Sequence, residues 1–221
     1  MATIQEISDG AFAKSSKNQP GVSAAETEIA TQIQRIVQGA FAVAAVVNPT
    51  KFAEKADVVG VASEWVRPVE AEAVIRIENA AFGEVVVVPY DDRLVEDPKP
   101  MLYEFGPNFI ASIGQTNAPG AADTLTFWFA RRPADLTTVD FAGDIDPEYP
   151  DAYLDLLMHQ FAMYLAMKDG RGGEVEALTV GRDGWLQRYV SWLERTTPIL
   201  RHRFATKRVY SPDTLKTMMG G

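Results

Sequence analysis

The residues best suited to proton transfer or metal ligation near neutral pH are the two histidines, His159 and His202. Neither has a second His at ligand spacing, and the chain contains no cysteine. On a helical wheel His159 falls about 140° from Leu154, off the apolar stripe, so both histidines read as surface residues. Five acids, Asp140, Asp144, Asp146, Glu148 and Asp151, crowd the loop "DFAGDIDPEYPD". Several carboxylates together suit a hard cation. Counted from Asp144, however, an EF-hand loop needs glycine where Tyr149 stands. Acids ahead of a helix also stabilise its positive end, by about 0.3–1 kcal/mol each, and that is the simpler role. Asp91 and Asp92 follow "VVVVP" and read as a solvated turn rather than an acid/base pair. "GRGGE" (Gly170–Glu174) follows a helix instead of a strand and lacks the spacing of a phosphate cradle. "GVASE" ends in Glu64, where a nucleophile elbow needs glycine. The expectation is no catalytic residue, no metal site and no cofactor.

Charge is the stronger signal. The chain has 21 Lys and Arg against 30 Asp and Glu, a net charge of −9. From Arg195 onward there are six basic residues and one acid, so that tail is +5 and the 194 residues before it carry −14. Segregation of this kind marks an interaction tail. Within it, "FATKRVY" (Phe204–Tyr210) alternates residues that favour extended backbone, as a strand added to a partner's sheet edge would. Twenty-one extended residues reach roughly 70 Å, well beyond the ~17 Å gyration radius of a globule this size. Arg201, Arg203, Phe204, Lys207, Arg208, Val209 and Tyr210 are therefore the candidate partner-docking residues. A basic tail could also hold nucleic acid, but the acidic body would resist it. Trp185, Tyr189 and Trp192 recur at helical spacing; they suit a core, or a subunit interface, where aromatics concentrate.

The elements that must present these groups follow from periodicity. At 221 residues the chain fits one domain or one domain with an insertion. Met1–Gly10 lacks the features of a secretory signal. Ala40–Val47, the longest apolar run, falls far short of the ~20 residues needed to span a bilayer, so a soluble protein without a membrane partner is expected. Residues 1–22 show no period and read as a flexible arm. Ser23 and Glu26 form a capping-box pattern ahead of Ile29, Ile33, Ile36, Val37, Ala40, Ala44 and Val47, a helix ending before Pro49. Lys51–Trp65 reads as a second helix, completing a helical segment over 23–65. Over residues 66–133 "EAVIRIE" alternates with period two, "EVVVVPY" is β-branched and ends in Pro, and "PMLYEFG" and "TLTFWFA" also read as strands, a small antiparallel β insertion. Helical period returns over 134–197 with Leu154, Leu157, Met158, Phe161 and Leu165, a stop at Gly170, and a last helix carrying Leu178, Leu186 and Leu193. Residues 198–221 form the basic arm. The expected class is α+β: mainly a helical bundle, an inserted β subdomain and two extended terminal arms.

The ordered set "VIRIE", "VVVVPYDD", "PMLYEFG", "DTLTFWFARRPADLT" and "DPEYPDAYLDLLMHQFAMYLAMKDGR" resembles tailed-bacteriophage head–tail connector (adaptor) proteins over Val66–Leu193. The resemblance implies a non-enzymatic virion protein at the neck, assembled in the host cytoplasm. It implies a ring, commonly of twelve copies, beneath the portal, with C-terminal segments docked on the portal and a tail or neck protein below. DNA would pass through the channel without specific binding, and an acid-rich wall would help it pass. A tail terminator or stopper of the neck is the nearest alternative. A metal-dependent hydrolase using Asp140, Asp144 and Asp146 is a more distant one.

Overall fold

The computed structural model describes residues 2–15, 26–92, 101–111, 118–133 and 141–195. The chain is α+β and divides into two compact units. One is helical and uses the chain on both sides of residues 49–132; the other, Pro49–Arg132, holds the strands.

Four α-helices are present among the described residues of the helical unit: α1 (Ile4–Lys14), α2 (Glu26–Val47), α3 (Leu154–Lys168) and α4 (Gly172–Arg195). Helix α1 corrects the reading of residues 1–22 as a featureless arm. The Thr3 hydroxyl accepts from the Glu6 N–H at 3.1 Å, and the Glu6 carboxylate accepts from the Thr3 N–H at 2.9 Å, a complete capping box. Ile4, Ile7 and Ala11 are buried. Gly10 lets α1 approach α3 closely, since a Cβ there would meet the Met158 thioether at 2.5 Å. Three apolar positions, one of them alanine, are too few to show a period in sequence.

Helix α2 buries the stripe expected of it: Ile29, Ile33, Ile36, Val37, Ala40 and Ala44. Its length and composition would suffice for a membrane span, but 67% of its most apolar window is buried inside the protein. Ser23 lies outside the described residues. Helix α3 buries Leu157, Phe161 and Leu165 and ends at Gly170 (φ 69°), with the Arg171 N–H returning to Ala166 O at 2.9 Å. That six-residue closure needs a left-handed residue, which glycine supplies without strain.

The β unit is a seven-stranded sheet: β1 (Ala53–Val59), β2 (Glu64–Val66), β3 (Ala71–Asn79), β4 (Gly83–Val88), β5 (Met101–Phe105), β6 (Asn108–Ala111) and β7 (Thr124–Arg131). The order is β1-β7-β3-β4-β5-β6-β2. All pairs are antiparallel except β4 with β5, which are parallel, so the purely antiparallel expectation is corrected at that pair. The sheet is nearly closed, because its two edge strands are joined by a tight turn. Inward-facing Trp65, Ile77, Val85, Leu102, Phe109, Leu125, Phe127 and Phe129 form one core. Each such side chain contributes about 1.5–3 kcal/mol when fully buried. The Trp65 indole N–H donates to Asp123 O at 2.8 Å, so its polar atom is satisfied.

Two boundaries move. The helix expected over Lys51–Trp65 is strands β1 and β2, and the β unit begins at Pro49 rather than Val66. Ala53, Glu54, Lys55 and Ala56 favour helix locally. Pairing with β7 and burial of Ala56 and Val58 against the β core override that preference.

The β1–β2 turn stores strain. Val61 and Glu64 exchange backbone hydrogen bonds at 2.9 and 3.1 Å, while Ala62 (φ 53°) and Ser63 (φ 67°) are both left-handed. Hairpin turns of this kind favour Asn-Gly. Ser63→Gly is expected to raise the unfolding free energy by about 1 kcal/mol, read from the urea midpoint; an unchanged or lower midpoint would contradict it.

Candidate partner-docking surfaces

Among the described residues, His159, Asp144 and Asp146 each take part in the chain's own structure. His159, on α3, sets Nδ1 2.7 Å from Asp155 O and lays its ring against Gly181 of α4, where a Cβ would come within 2.6 Å. It spaces two helices. In the acidic loop Asp146 is buried and accepts the Glu148 N–H at 3.0 Å. Asp144 sits in a short β bridge with Thr3, flanked by Ile4 N–H to Gly143 O (2.9 Å) and Ile145 N–H to Ala2 O (3.1 Å). The loop therefore holds the N-terminal segment. Among the described residues no three His, Asp or Glu side chains are gathered to hold a metal ion; Asp140 lies outside them. "GVASE" is the β1–β2 turn and "GRGGE" the α3–α4 turn.

The three aromatics of α4 separate. Tyr189 is fully buried, and its hydroxyl donates to Ala40 O of α2 at 3.2 Å. It stacks on Trp192 at 5.7 Å, and Tyr153 packs against both at 5.4 Å. Tyr149 completes the cluster at 5.9 Å from Tyr189. Burial, reinforced by the neighbouring phenols, pushes both Tyr149 and Tyr189 well above the ordinary tyrosine range. Tyr189 thus belongs to the chain's own core. Trp185 and Trp192 are half-buried, and Trp185 carries the Arg188 guanidinium 4.6 Å from its ring centre. The C-terminal residues Arg201, Arg203, Phe204, Lys207, Arg208, Val209 and Tyr210, and His202 with them, lie outside the described residues.

Surfaces that sequence reading missed lie on the β unit. On its outer face Trp128 of β7 stands between its cross-strand neighbours Lys55 and Arg76. The cations are 5.8 and 4.7 Å from the ring centre, and the indole N–H donates to Glu78 at 2.8 Å. Tyr90 packs on Tyr103 (5.6 Å) and Phe105 (5.7 Å), an exposed aromatic group at the end of the parallel pair. Strand β1 is a sheet edge, with Ala53, Glu54, Lys55, Asp57 and Val59 exposed. None of these was legible, because β1 read as helix and the outward residues of β3 and β7 read only as the polar half of an alternation.

A polar tie joins α2 to α3. The Tyr164 hydroxyl donates to Glu28 at 2.7 Å, and the Lys168 ammonium bonds the same carboxylate oxygen. These two donors, Lys168 first, hold the Glu28 carboxyl below its ordinary value of 4.5. The same bond raises Tyr164 and Lys168.

Compared with known proteins, residues 10–208 match the family model described as SU10 adaptor protein. No curated protein matches the chain.

The Glu28 tie carries a pH dependence. A carboxyl lowered on folding adds stability that is present above its unfolded value and lost as pH falls through its folded value. Glu28→Gln is therefore expected to be less stable than the parent at neutral pH, with the gap closing as pH drops below about 4.5. Thermal unfolding of both proteins between pH 3 and pH 7 checks this; a gap constant over that range would contradict it.

Proposed function

Because the chain belongs to the SU10 adaptor protein family, we propose that it is a non-catalytic virion protein that joins the bacteriophage head to its tail. In this reading copies assemble, as a helical bundle with an inserted β unit, into a ring beneath the portal, commonly of twelve. The ring forms in the host cytoplasm and is carried into the virion neck, with a tail or neck protein beneath it. The observation that carries the reading is the family match itself. It runs across both units and continues through Arg208, so five of the six basic residues from Arg195 onward lie inside the matched region.

The strip then acts as the docking arm. Arg201, Arg203, Phe204, Lys207, Arg208, Val209 and Tyr210 would meet acidic groups and a sheet edge on the portal. Closure into a ring makes modest arm affinities act together, since each docked arm raises the effective concentration of the next. Trp185 and Trp192, half-buried within one chain, are the residues of α4 suited to a neighbouring copy. The −14 carried by the body supports a channel that repels phosphate and lets DNA pass without gripping it.

Deleting residues 201–221 is expected to leave the circular dichroism spectrum and melting temperature of the body unchanged. The truncated protein should no longer co-sediment with rings of its portal. Retention equal to the full chain would overturn the arm's role. Pairing Arg203→Glu with Arg208→Glu is expected to weaken retention by at least about tenfold, whereas binding insensitive to both reversals would leave a dock held by backbone alone. Negative-stain images of the full chain, alone and with portal, test the ring: isolated single copies in both samples would remove it.

A further inference from the structure

Strand β1 is an edge of the sheet among the described residues. Hydrogen bonds with β7 begin with Arg131 N–H to Phe52 O (2.9 Å) and end with Gly60 N–H to Asp123 O (3.0 Å). In an antiparallel pair these bonds fall on alternate residues, so Phe52, Glu54, Ala56, Val58 and Gly60 face β7. The backbone N–H and C=O groups of Ala53, Lys55, Asp57 and Val59 point the other way, to the open edge, and all four residues are exposed. Ala56 and Val58 pack on the β core, so the side chains of those same four residues lie on the outer face. Asp57 already accepts from Thr126 at 2.6 Å through one carboxylate oxygen, and Lys55 lies over Trp128; both are held flat on that face.

An open strand of this length is a template for another strand, and charge decides which. Laid antiparallel on a second copy about a two-fold axis at Ala56, Lys55 faces Asp57 of the other copy and Asp57 faces its Lys55. Ala53 and Val59 face one another at the two ends. Among the described residues no strand pairs with the backbone groups of these facing residues, which leaves them able to make about eight inter-copy backbone hydrogen bonds. Sliding the register by two residues in one direction sets Lys55 on Lys55; in the other it sets Asp57 on Asp57. Like charges directly opposite are destabilising, and opposite charges stabilise. A slip by one residue loses the backbone bonds and turns the side chains to the wrong face. Of these registers, the one centred on Ala56 satisfies both backbone and charge and pairs the full strand.

We propose that β1 of one copy pairs antiparallel with β1 of a second copy, in the register that sets Lys55 against Asp57. The contact is isologous, the same patch on both partners. It cannot form between neighbours of a ring whose members all point the same way. The pair therefore belongs to the free protein, as a reservoir form that separates when copies enter the ring, and it goes beyond the adaptor reading above.

The test uses the full chain in analytical ultracentrifugation, with rings excluded by negative stain. The parent is expected to show a concentration-dependent equilibrium of one and two copies. Lys55→Asp alone sets acid against acid, and Asp57→Lys alone sets base against base; each is expected to weaken pairing about tenfold or more. An equimolar mixture of the two single variants sets acid against base at both positions and should pair again. So should the double variant, Lys55→Asp with Asp57→Lys. Because each single variant must regain pairing in the mixture, misfolding cannot imitate the result. A parent that stays single at all concentrations, single variants that pair like the parent, or a mixture that fails to pair would each overturn the proposal.

Discussion

The helical unit depends on tying α2 to α4 across a long stretch of chain. Two buried hydrogen bonds make that tie. The Tyr189 hydroxyl reaches Ala40 O over a separation of 149 residues, and the Asn48 amide reaches Leu193 O over 145. Asn48 is the last residue before Pro49, where the chain leaves for the β unit. One side chain thus occupies a carbonyl in the last turn of α4 from the residue at which α2 must stop. Losing either donor removes a buried bond between segments far apart in the chain, at about 0.5–1.5 kcal/mol. The aromatic cluster of Tyr149, Tyr153, Tyr189 and Trp192 surrounds the first of these bonds and keeps water from it. An aromatic-rich α4 is therefore first a means of closing the helical unit on itself.

The β unit solves a different problem. Its strands put large apolar residues on one face and charges on the other, so seven short strands can share one core without disulfides. The outer face is ordered as well. Cross-strand register brings Lys55, Trp128 and Arg76 into one row, and Arg76 pairs with Glu78 at 3.1 Å. Such exposed pairs contribute little singly, but they hold side chains in place and leave the backbone of β1 open along one edge. Among the described strands, β1 is a seven-residue edge that offers a partner a direction and a register, which a featureless surface does not.

In the helical unit three side chains capable of chemistry are engaged in packing and capping. His159 spaces α3 from α4, Asp146 caps its own loop, and Glu28 ties α2 to α3. The surface features are an acidic body, an exposed aromatic group and a strand edge, with a basic terminal strip in the sequence. These are the properties of a protein that works by being placed between others, as membership of the SU10 adaptor protein family implies.

Much of this was legible before any coordinates. The stripes of α2, α3 and α4 carry enough large residues at helical spacing to show a period, β3 alternates with period two, and β4, β5 and β7 read as strands from their β-branched and aromatic residues. The segregation of charge is a property of sequence alone, as is the basic strip. The tertiary structure alone decided four things. Residues 4–14 are a helix because Thr3 and Glu6 cap it and Gly10 makes room for Met158. Residues 53–59 are a strand because β7 is beside them, although their local preference is helical. Tyr189 is core while Trp185 stays partly open, although the two sit one turn apart. Lys55 and Asp57 became an edge pair only once that strand existed. The physical reason is common to all four: periodicity reports a residue's own element, whereas burial, pairing and edge position depend on neighbours far away in the chain.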